Sequence, residues 1–187
     1  PENYLKRAVR IAEESPDYPW LDLAKARLAL ADYYTVTESH NRAKKIYKEV
    51  WDELSTDESR LEMRDELMGS PVPVWDELLP EYTKGASGGP RDSSRLLTGV
   101  INVNYTISDR GRVRLIQTEA NPREFTDMQR LVHRAVRRQA FRPAIVDGIP
   151  IEVGGQIFRH EFFYLESERE EIRQKNSAAA QDPENKS

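Results

Sequence analysis

The apolar residues of this 187-residue chain recur at two different spacings, one on each side of a Pro-, Gly- and Ser-rich stretch at residues 69–94. Before that stretch they return every three or four positions, which is the period of an α-helix. After it they alternate, which is the period of a β-strand. We therefore predict an α+β fold: all-α helical hairpins, followed by a small domain with a three-stranded antiparallel sheet and one packed helix in the order β-β-α-β.

The charge changes at the same place. Residues 1–90 hold 12 basic and 18 acidic side chains, whereas residues 91–164 hold 12 basic and 8 acidic ones, and all 12 of those basic residues are Arg. A composition shift of this kind is typical of a domain boundary. The predicted parts are a helical module at 1–70, a linker at 71–94, a sheet domain at 95–165 and a charged, disordered tail at 166–187.

In the first half, helices are predicted over residues 3–14, 20–34, 39–54 and 57–68. The second and third of these resemble a tetratricopeptide repeat, through Leu30, Ala31 and Tyr34 on one helix and Ala43 and Tyr47 on the next. Small alanines let two helices approach closely, and the tyrosines fill the space beside them. Arg27 and Ser55 depart from the repeat pattern, so a plain helical bundle stays open as the alternative.

In the second half, the strand at residues 99–107 places Ile101, Val103, Tyr105 and Ile107 on one face. A return strand is predicted to direct Val113 and Leu115 to the core. A helix is predicted to start after Asn121, which serves as its N-cap, and to run to residue 140. Its polar face carries a basic patch made of Arg130, Arg134, Arg137 and Arg138. The last strand covers residues 156–165.

This second half resembles the C-terminal domain of the TonB family, periplasmic proteins of Gram-negative bacteria that energise outer-membrane receptors for transport. The residues that carry the resemblance are Gly99 to Val103, Asp109 to Val113, Asn121-Pro122, Phe125, Phe141-Arg142-Pro143-Ala144, Asp147-Gly148-Ile149-Pro150-Ile151 and the aromatic strand from Phe158 to Tyr164. The sequence Arg95-Leu96-Leu97 replaces the Tyr-Pro pair of typical members. Typical members also have an N-terminal membrane helix and a long Pro-rich spacer, whereas this chain has helical repeats and a short connector. It therefore resembles the TonB-like proteins in which a repeat module replaces the spacer.

The resemblance implies a periplasmic energy transducer or a related binding module, in which the last strand lies at a sheet edge and pairs with an extended receptor segment. The edge residues it assigns here are Ile157, Arg159, Glu161, Phe163 and Leu165. An exposed edge offers unpaired N–H and C=O groups that such a segment can satisfy. Three occupants of the edge stay open: a partner peptide, a second copy in a homodimer, or the chain's own tail.

The expected function is therefore non-enzymatic binding of an envelope or outer-membrane protein. The alternative is a helical-repeat scaffold or a homo-oligomerising envelope protein without energy transduction. The basic patch suits a solvated face or an anionic lipid, glycan or acidic protein better than nucleic acid, because residues 91–164 have a net charge of only +4. We expect membrane association only through a segment removed ahead of Pro1.

No cofactor, metal ligand or catalytic residue is predicted. The chain has no Cys, and His40, His133 and His160 do not stand at metal-ligand spacing. Residues 85–89 match the G-x-S-x-G pattern around Ser87, but no strand leads into that pattern and no helix leaves it, as a hydrolase nucleophile requires. We interpret Ser87 as part of the linker.

Overall fold

A computed structural model describes residues 1–15, 17–86 and 95–181. Ser87 and residues 182–187, for which a linker and a disordered tail are predicted, lie outside the described residues. The described chain is of mixed helix and sheet, as an α+β class requires. Its helices are α1 (Glu2–Glu14), α2 (Trp20–Val36), α3 (His40–Leu54), α4 (Leu61–Met68, after a 3-10 turn at Glu58–Arg60), α5 (Thr126–Arg138) and α6 (Glu166–Gln181). Its strands are β1 (Val72–Trp75), β2 (Leu96–Ile107), β3 (Val113–Asn121), β4 (Ala140–Arg142), β5 (Ala144–Val146), β6 (Ile149–Ile151) and β7 (Val153–Leu165).

The chain forms two compact units whose limits differ from the predicted ones. The first unit holds Pro1–Asp76, Thr106–Arg114 and Arg138–Gln156, and the second holds Glu77–Tyr105, Leu115–Arg137 and Ile157–Ser187. The predicted division instead placed all of residues 95–165 in one sheet domain. The difference arises because β4 pairs with β1, which lies in the predicted linker, and because Ile145 of β5 is buried among residues of the helices.

In the first unit, the helices share a buried core that also includes Ile145 of β5. Two short antiparallel ribbons belong to this unit, β1 with β4 and β5 with β6. The predicted linker is therefore partly regular structure, since β1 lies within it and pairs with β4 through Val72 opposite Arg142. Neither ribbon was predicted, because strands of three or four residues leave almost no periodic signal.

Arg27, one of the two residues that depart from the predicted repeat pattern, holds helices of the first unit together. Its guanidinium donates to Glu13 of α1 over 2.8 Å and also to Glu53 of α3. The side chain is only 24% exposed, so water screens these ion pairs less than it screens surface pairs. The two ion pairs form a charged clasp that joins α2 to α1 and α3.

In the second unit, the sheet has the order β3-β2-β7, with β2 in the centre. α5 contributes Met128, Val132 and Val136 to the buried core. Phe125 packs against the rings of Phe162 and Tyr164, with centroids 5.2 and 4.6 Å apart. β2 buries Ile101, Val103 and Tyr105 on one face, as the alternation predicts, and Ile107 at its end is buried too.

The prediction for β3 is wrong at Leu115, which is 79% exposed instead of facing the core. Its φ of 48° lies in the left-handed region and interrupts the regular alternation of the strand. After this residue, Ile116, Thr118 and Ala120 are the more buried positions. The predicted N-cap at Asn121 is also wrong, because β3 continues through Asn121 and α5 begins at Thr126.

For the tail we predict a fraying helix followed by disorder, and residues 166–181 form α6. Ion pairs dock this helix: Glu124 accepts from Arg169 over 3.2 Å and also contacts Arg173. The side chain of Glu124 is 16% exposed. The docking was not predicted, because it comes from charge pairing with a residue outside the tail, which a search for apolar residues does not detect.

Replacing Glu124 with Gln is expected to loosen α6. A backbone hydrogen bond within the residue, then its contacts with Arg173 and Arg169, hold the pKa of Glu124 below its usual value although burial opposes this. The stabilisation that ionised Glu124 contributes to the folded state is fully present above the ordinary glutamate pKa of about 4.3. It is lost as the pH falls through the lowered pKa of Glu124 in the folded state. Amide exchange in α6 should therefore be faster in Glu124→Gln than in the wild type at pH 7, and the difference should shrink as the pH falls below about 4.3.

Glu119→Gln is the matched control, because Glu119 pairs with Arg123 at 3.8 Å in an exposed position. This change should leave the exchange of α6 as it is. Equal exchange of α6 in Glu124→Gln and the wild type at pH 7 contradicts the docking role.

Candidate functional site

The outer strand β7 presents alternate side chains to solvent. Ile157, Arg159 and Glu161 are exposed, whereas His160, Phe162 and Tyr164 on the other face are buried. Phe163 and Leu165, the remaining predicted edge residues, are half-buried. The exposed fraction of Ile157 is 74%, which is high for a β-branched apolar side chain in a strand, and Arg159 pairs with Glu161 at 2.9 Å.

The backbone of β7 has a defined outward side. Phe163 donates its N–H to the carbonyl of Glu81 over 2.7 Å and accepts from the N–H of Thr83 over 3.0 Å. Alternate residues of a strand direct their hydrogen-bonding groups the same way, so Ile157, Arg159 and Glu161 share the outward direction of Phe163. In the described part of the chain, no backbone group outside the sheet pairs with these three residues.

A short segment of the predicted linker covers one end of this edge. We call residues 80–85 the strap. Tyr82 forms a parallel bridge with Phe163, and their ring centroids are 5.4 Å apart. The edge is therefore covered at Phe163 by the strap, whereas the predicted alternative was cover by the tail.

Side chains of β7 and α6 hold the strap from both ends. His160 Nε2 lies 2.9 Å from the carbonyl oxygen of Pro80 and donates to it. Glu168 accepts from the Thr83 hydroxyl over 2.5 Å and from the Gly85 N–H over 3.3 Å. Thr83 is only 5% exposed, so its hydroxyl requires a partner and finds it in the carboxylate.

The predicted basic patch on α5 is solvent-exposed at all four positions, Arg130, Arg134, Arg137 and Arg138. Arg130 lies 3.4 Å from Asp127, and the side chains of this pair are 75% and 96% exposed. An ion pair as exposed as this one contributes little to stability. His133, on the same helix, contacts the hydroxyl of Thr118 through Nδ1 at 3.0 Å.

The five residues assigned to repeat packing, Leu30, Ala31, Tyr34, Ala43 and Tyr47, are all buried. Tyr47 also belongs to a polar network that sequence reasoning missed. Its hydroxyl donates to Asp32 over 2.8 Å and accepts from Thr35, while Arg142 donates to both oxygens of Asp32 over 3.0 and 2.6 Å. Burial raises the pKa of Tyr47, so the phenol stays protonated and able to donate. The available signal was Asp32, an acidic residue between buried positions of α2.

A polar cavity of about 150 Å³ lies at the start of α3. Its lining includes His40, Lys44 and Arg110. Burial first, and then the charges of Arg110 and Arg112, lower the pKa of His40, so the ring is neutral near pH 7. Among the described residues, no group of three or more His, Asp or Glu side chains is arranged to hold a metal ion.

No family model matches the chain, and no curated protein matches it. In the described part of the chain, no helix combines the length and the apolar content that crossing a bilayer requires. Function must therefore be argued from the edge of β7 itself.

Proposed function

We propose that the chain is a non-enzymatic protein-interaction module that binds an extended segment of another protein by adding it as a strand to the outer edge of β7. The observation that carries the proposal is the row of outward backbone groups at Ile157, Arg159 and Glu161, beside the exposed side chains of the same residues. Main-chain hydrogen bonds supply affinity in this binding mode, and alternate side chains supply specificity.

The resemblance to TonB domains supports a partner in the cell envelope, such as an outer-membrane receptor segment, and a periplasmic location. We also propose that the buried tetratricopeptide-like helices, which the clasp at Arg27 joins, give the first unit a rigid core. In this proposal, the basic patch of α5 is a solvated face that adds attraction for acidic partners.

Homodimerisation is the second candidate, because the exposed face of β7 is complementary to itself. In an antiparallel pair of copies centred on His160, Ile157 is opposite Phe163 of the other copy, and Arg159 is opposite Glu161. Apolar and opposite-charge pairs of this kind stabilise sheets. The strap already uses the outward groups of Phe163, however, so a partner peptide at residues 157–161 is the favoured occupant.

A peptide selection tests the proposal. Random decapeptides displayed on phage are selected on the wild-type protein, and the affinity of the best peptide is measured for two variants. Arg159→Pro removes an outward N–H from the edge without touching the ladder to β2, since proline is tolerated on edge strands. The affinity of the Arg159→Pro variant for the selected peptide is expected to fall at least about tenfold. One backbone hydrogen bond is lost, and the proline ring obstructs the edge.

Arg159→Ala is the matched control, since it keeps the N–H and removes the same side chain. It should bind within about threefold of the wild type. Equal losses in the two variants mean that the charge, not the backbone edge, binds the peptide, and this result contradicts the proposal. A concentration-dependent dimer in sedimentation that is abolished by Arg159→Pro, with no peptide selected, favours the homodimer instead.

A further inference from the structure

We infer that the C-terminal end of the β7 edge is a distinct peptide site, formed by His160, Phe163 and Glu168, and that the strap occupies it as a ligand from the same chain. The inference rests on the proposed function and deepens it. It specifies the direction of the bound segment and the side chains that the site selects, whereas the proposal above concerns residues 157–161.

The contacts of the strap are those of a bound peptide rather than of a loop passing over a surface. Phe163 makes both of its outward backbone hydrogen bonds with the strap, one to Glu81 and one to Thr83. This pairing is parallel, so the segment runs in the same direction as β7. A bound segment is therefore expected to enter beside His160 and leave beside Glu168.

Three groups of the site recognise separate features of the segment. His160 donates to a carbonyl, the Phe163 ring packs against an aromatic side chain, and the Glu168 carboxylate accepts from a hydroxyl. Carboxylate acceptors make the stronger class of hydrogen bond, and aromatic pairs add to area burial. The site thus fits an extended segment that offers a backbone carbonyl to His160, an aromatic residue two positions later, and then a hydroxyl residue.

The site is also shaped closely around the end of the strap. A Cβ atom built at Gly85 stands 2.8 Å from the carboxyl carbon of Glu168, so any larger residue there must displace that side chain. Because no side chain at Gly85 intervenes, the Glu168 carboxylate comes close enough to accept from the Gly85 N–H. A segment from another chain that carries glycine two residues after the hydroxyl residue reproduces this contact.

The strap is expected to compete with such a segment. A ligand tethered by a short linker has an effective concentration of about 1 mM, so it blocks an external peptide of comparable intrinsic affinity. No segment among the described residues covers the outward groups at 157–161, whereas the strap keeps the adjoining site at 160–168 closed until a partner displaces it.

The chain's own segment is the probe that tests this inference. A capped peptide of residues 77–85, Glu-Leu-Leu-Pro-Glu-Tyr-Thr-Lys-Gly, is titrated into a variant that combines Glu81→Gly, Tyr82→Gly and Thr83→Gly. We expect saturable binding to this variant and at least about tenfold weaker binding to the wild type. The same peptide with Tyr replaced by Ala, and the peptide of reversed sequence, should bind at least about tenfold more weakly to the variant.

If the triple variant is folded, as verified by thermal unfolding, and does not bind the peptide of residues 77–85, the inference is overturned. Equal binding of this peptide and the reversed one overturns it too. If the triple variant does not fold, Tyr82→Ala in the otherwise native chain replaces it. In that variant the exchange of the Phe163 N–H should accelerate at least about tenfold, and unchanged exchange overturns the inference. None of these results depends on Arg159, so the inference and the proposed function can fail separately.

Discussion

Arg142→Met is expected to lower the free energy of unfolding by about 3–5 kcal/mol, because it leaves the carboxylate of Asp32, whose side chain is only 15% exposed, without its charge partner. Arg142 is 9% exposed and donates to both oxygens of Asp32. It also donates to the carbonyl of Leu67 over 2.9 Å. Burial by itself lowers the pKa of Arg142. The hydrogen bonds to Asp32 and the negative charge of that residue raise the pKa above its usual value. Urea unfolding at pH 7 measures the loss.

The double variant Asp32→Leu with Arg142→Met sharpens this test. It removes both charges, so it should be more stable than Arg142→Met alone, since an apolar pair has no uncompensated charge to bury. Arg134→Met serves as the exposed control and should change stability by less than about 0.5 kcal/mol. A double variant that is less stable than the single one contradicts the assignment of a coupled buried pair.

Gly111→Ala is expected to cost about 3 kcal/mol or more. Gly111 has a φ of +71°, and a Cβ atom there would stand 1.9 Å from the backbone oxygen of Phe141. Backbone atoms cannot move aside as a flexible side chain does, and Phe141 donates its N–H to the Gly111 carbonyl over 3.0 Å, which fixes their approach. Positive φ and overpacking each contribute about 1–3 kcal/mol.

Gly155→Ala separates these two contributions. Gly155 has a φ of +67° with no atom within 4 Å of the Cβ position, so it carries the conformational cost alone. Thermal unfolding should show a loss of about 1 kcal/mol for Gly155→Ala, well below that of Gly111→Ala. Equal losses in the two variants mean that the approach of Gly111 to Phe141 contributes nothing.

Local periodicity was sufficient to predict the long elements. The apolar spacing placed α2 and α3 within two residues of their observed ends, and the alternation in β2 identified its buried face. These elements each bury one continuous stripe, so the pattern is repeated often enough to be read. The α+β class follows from the same two periods.

Pairings between distant residues could not be predicted in this way. Asp32 and Arg142 are separated by 110 positions, and neither shows by its local pattern that it is buried with the other. Leu115 was misassigned because a residue with positive φ interrupts the alternation of β3 without a glycine to signal it. Short strands such as β4 depend on a partner elsewhere in the chain, and their sequences alone carry little information.

The candidate site was likewise predicted in part. The resemblance assigns Ile157, Arg159 and Glu161 to an edge strand, and the structure places their side chains on the exposed face of β7. The strap did not follow from the sequence, because it has no strand periodicity and contains Pro80. It is held instead by two backbone hydrogen bonds, the contact of Tyr82 with Phe163 and the partners His160 and Glu168.

Residue-resolved amide exchange of the wild-type protein with the best peptide from the phage selection tests the central claim most directly. Strand addition to the outer edge of β7 should slow exchange at Ile157, Arg159 and Glu161, whose N–H groups point outward. Exchange at Phe158 and His160 should stay as it is, because their N–H groups already face β2. Slowing confined to α1–α4 or to the basic patch of α5, with unchanged exchange along β7, contradicts the claim.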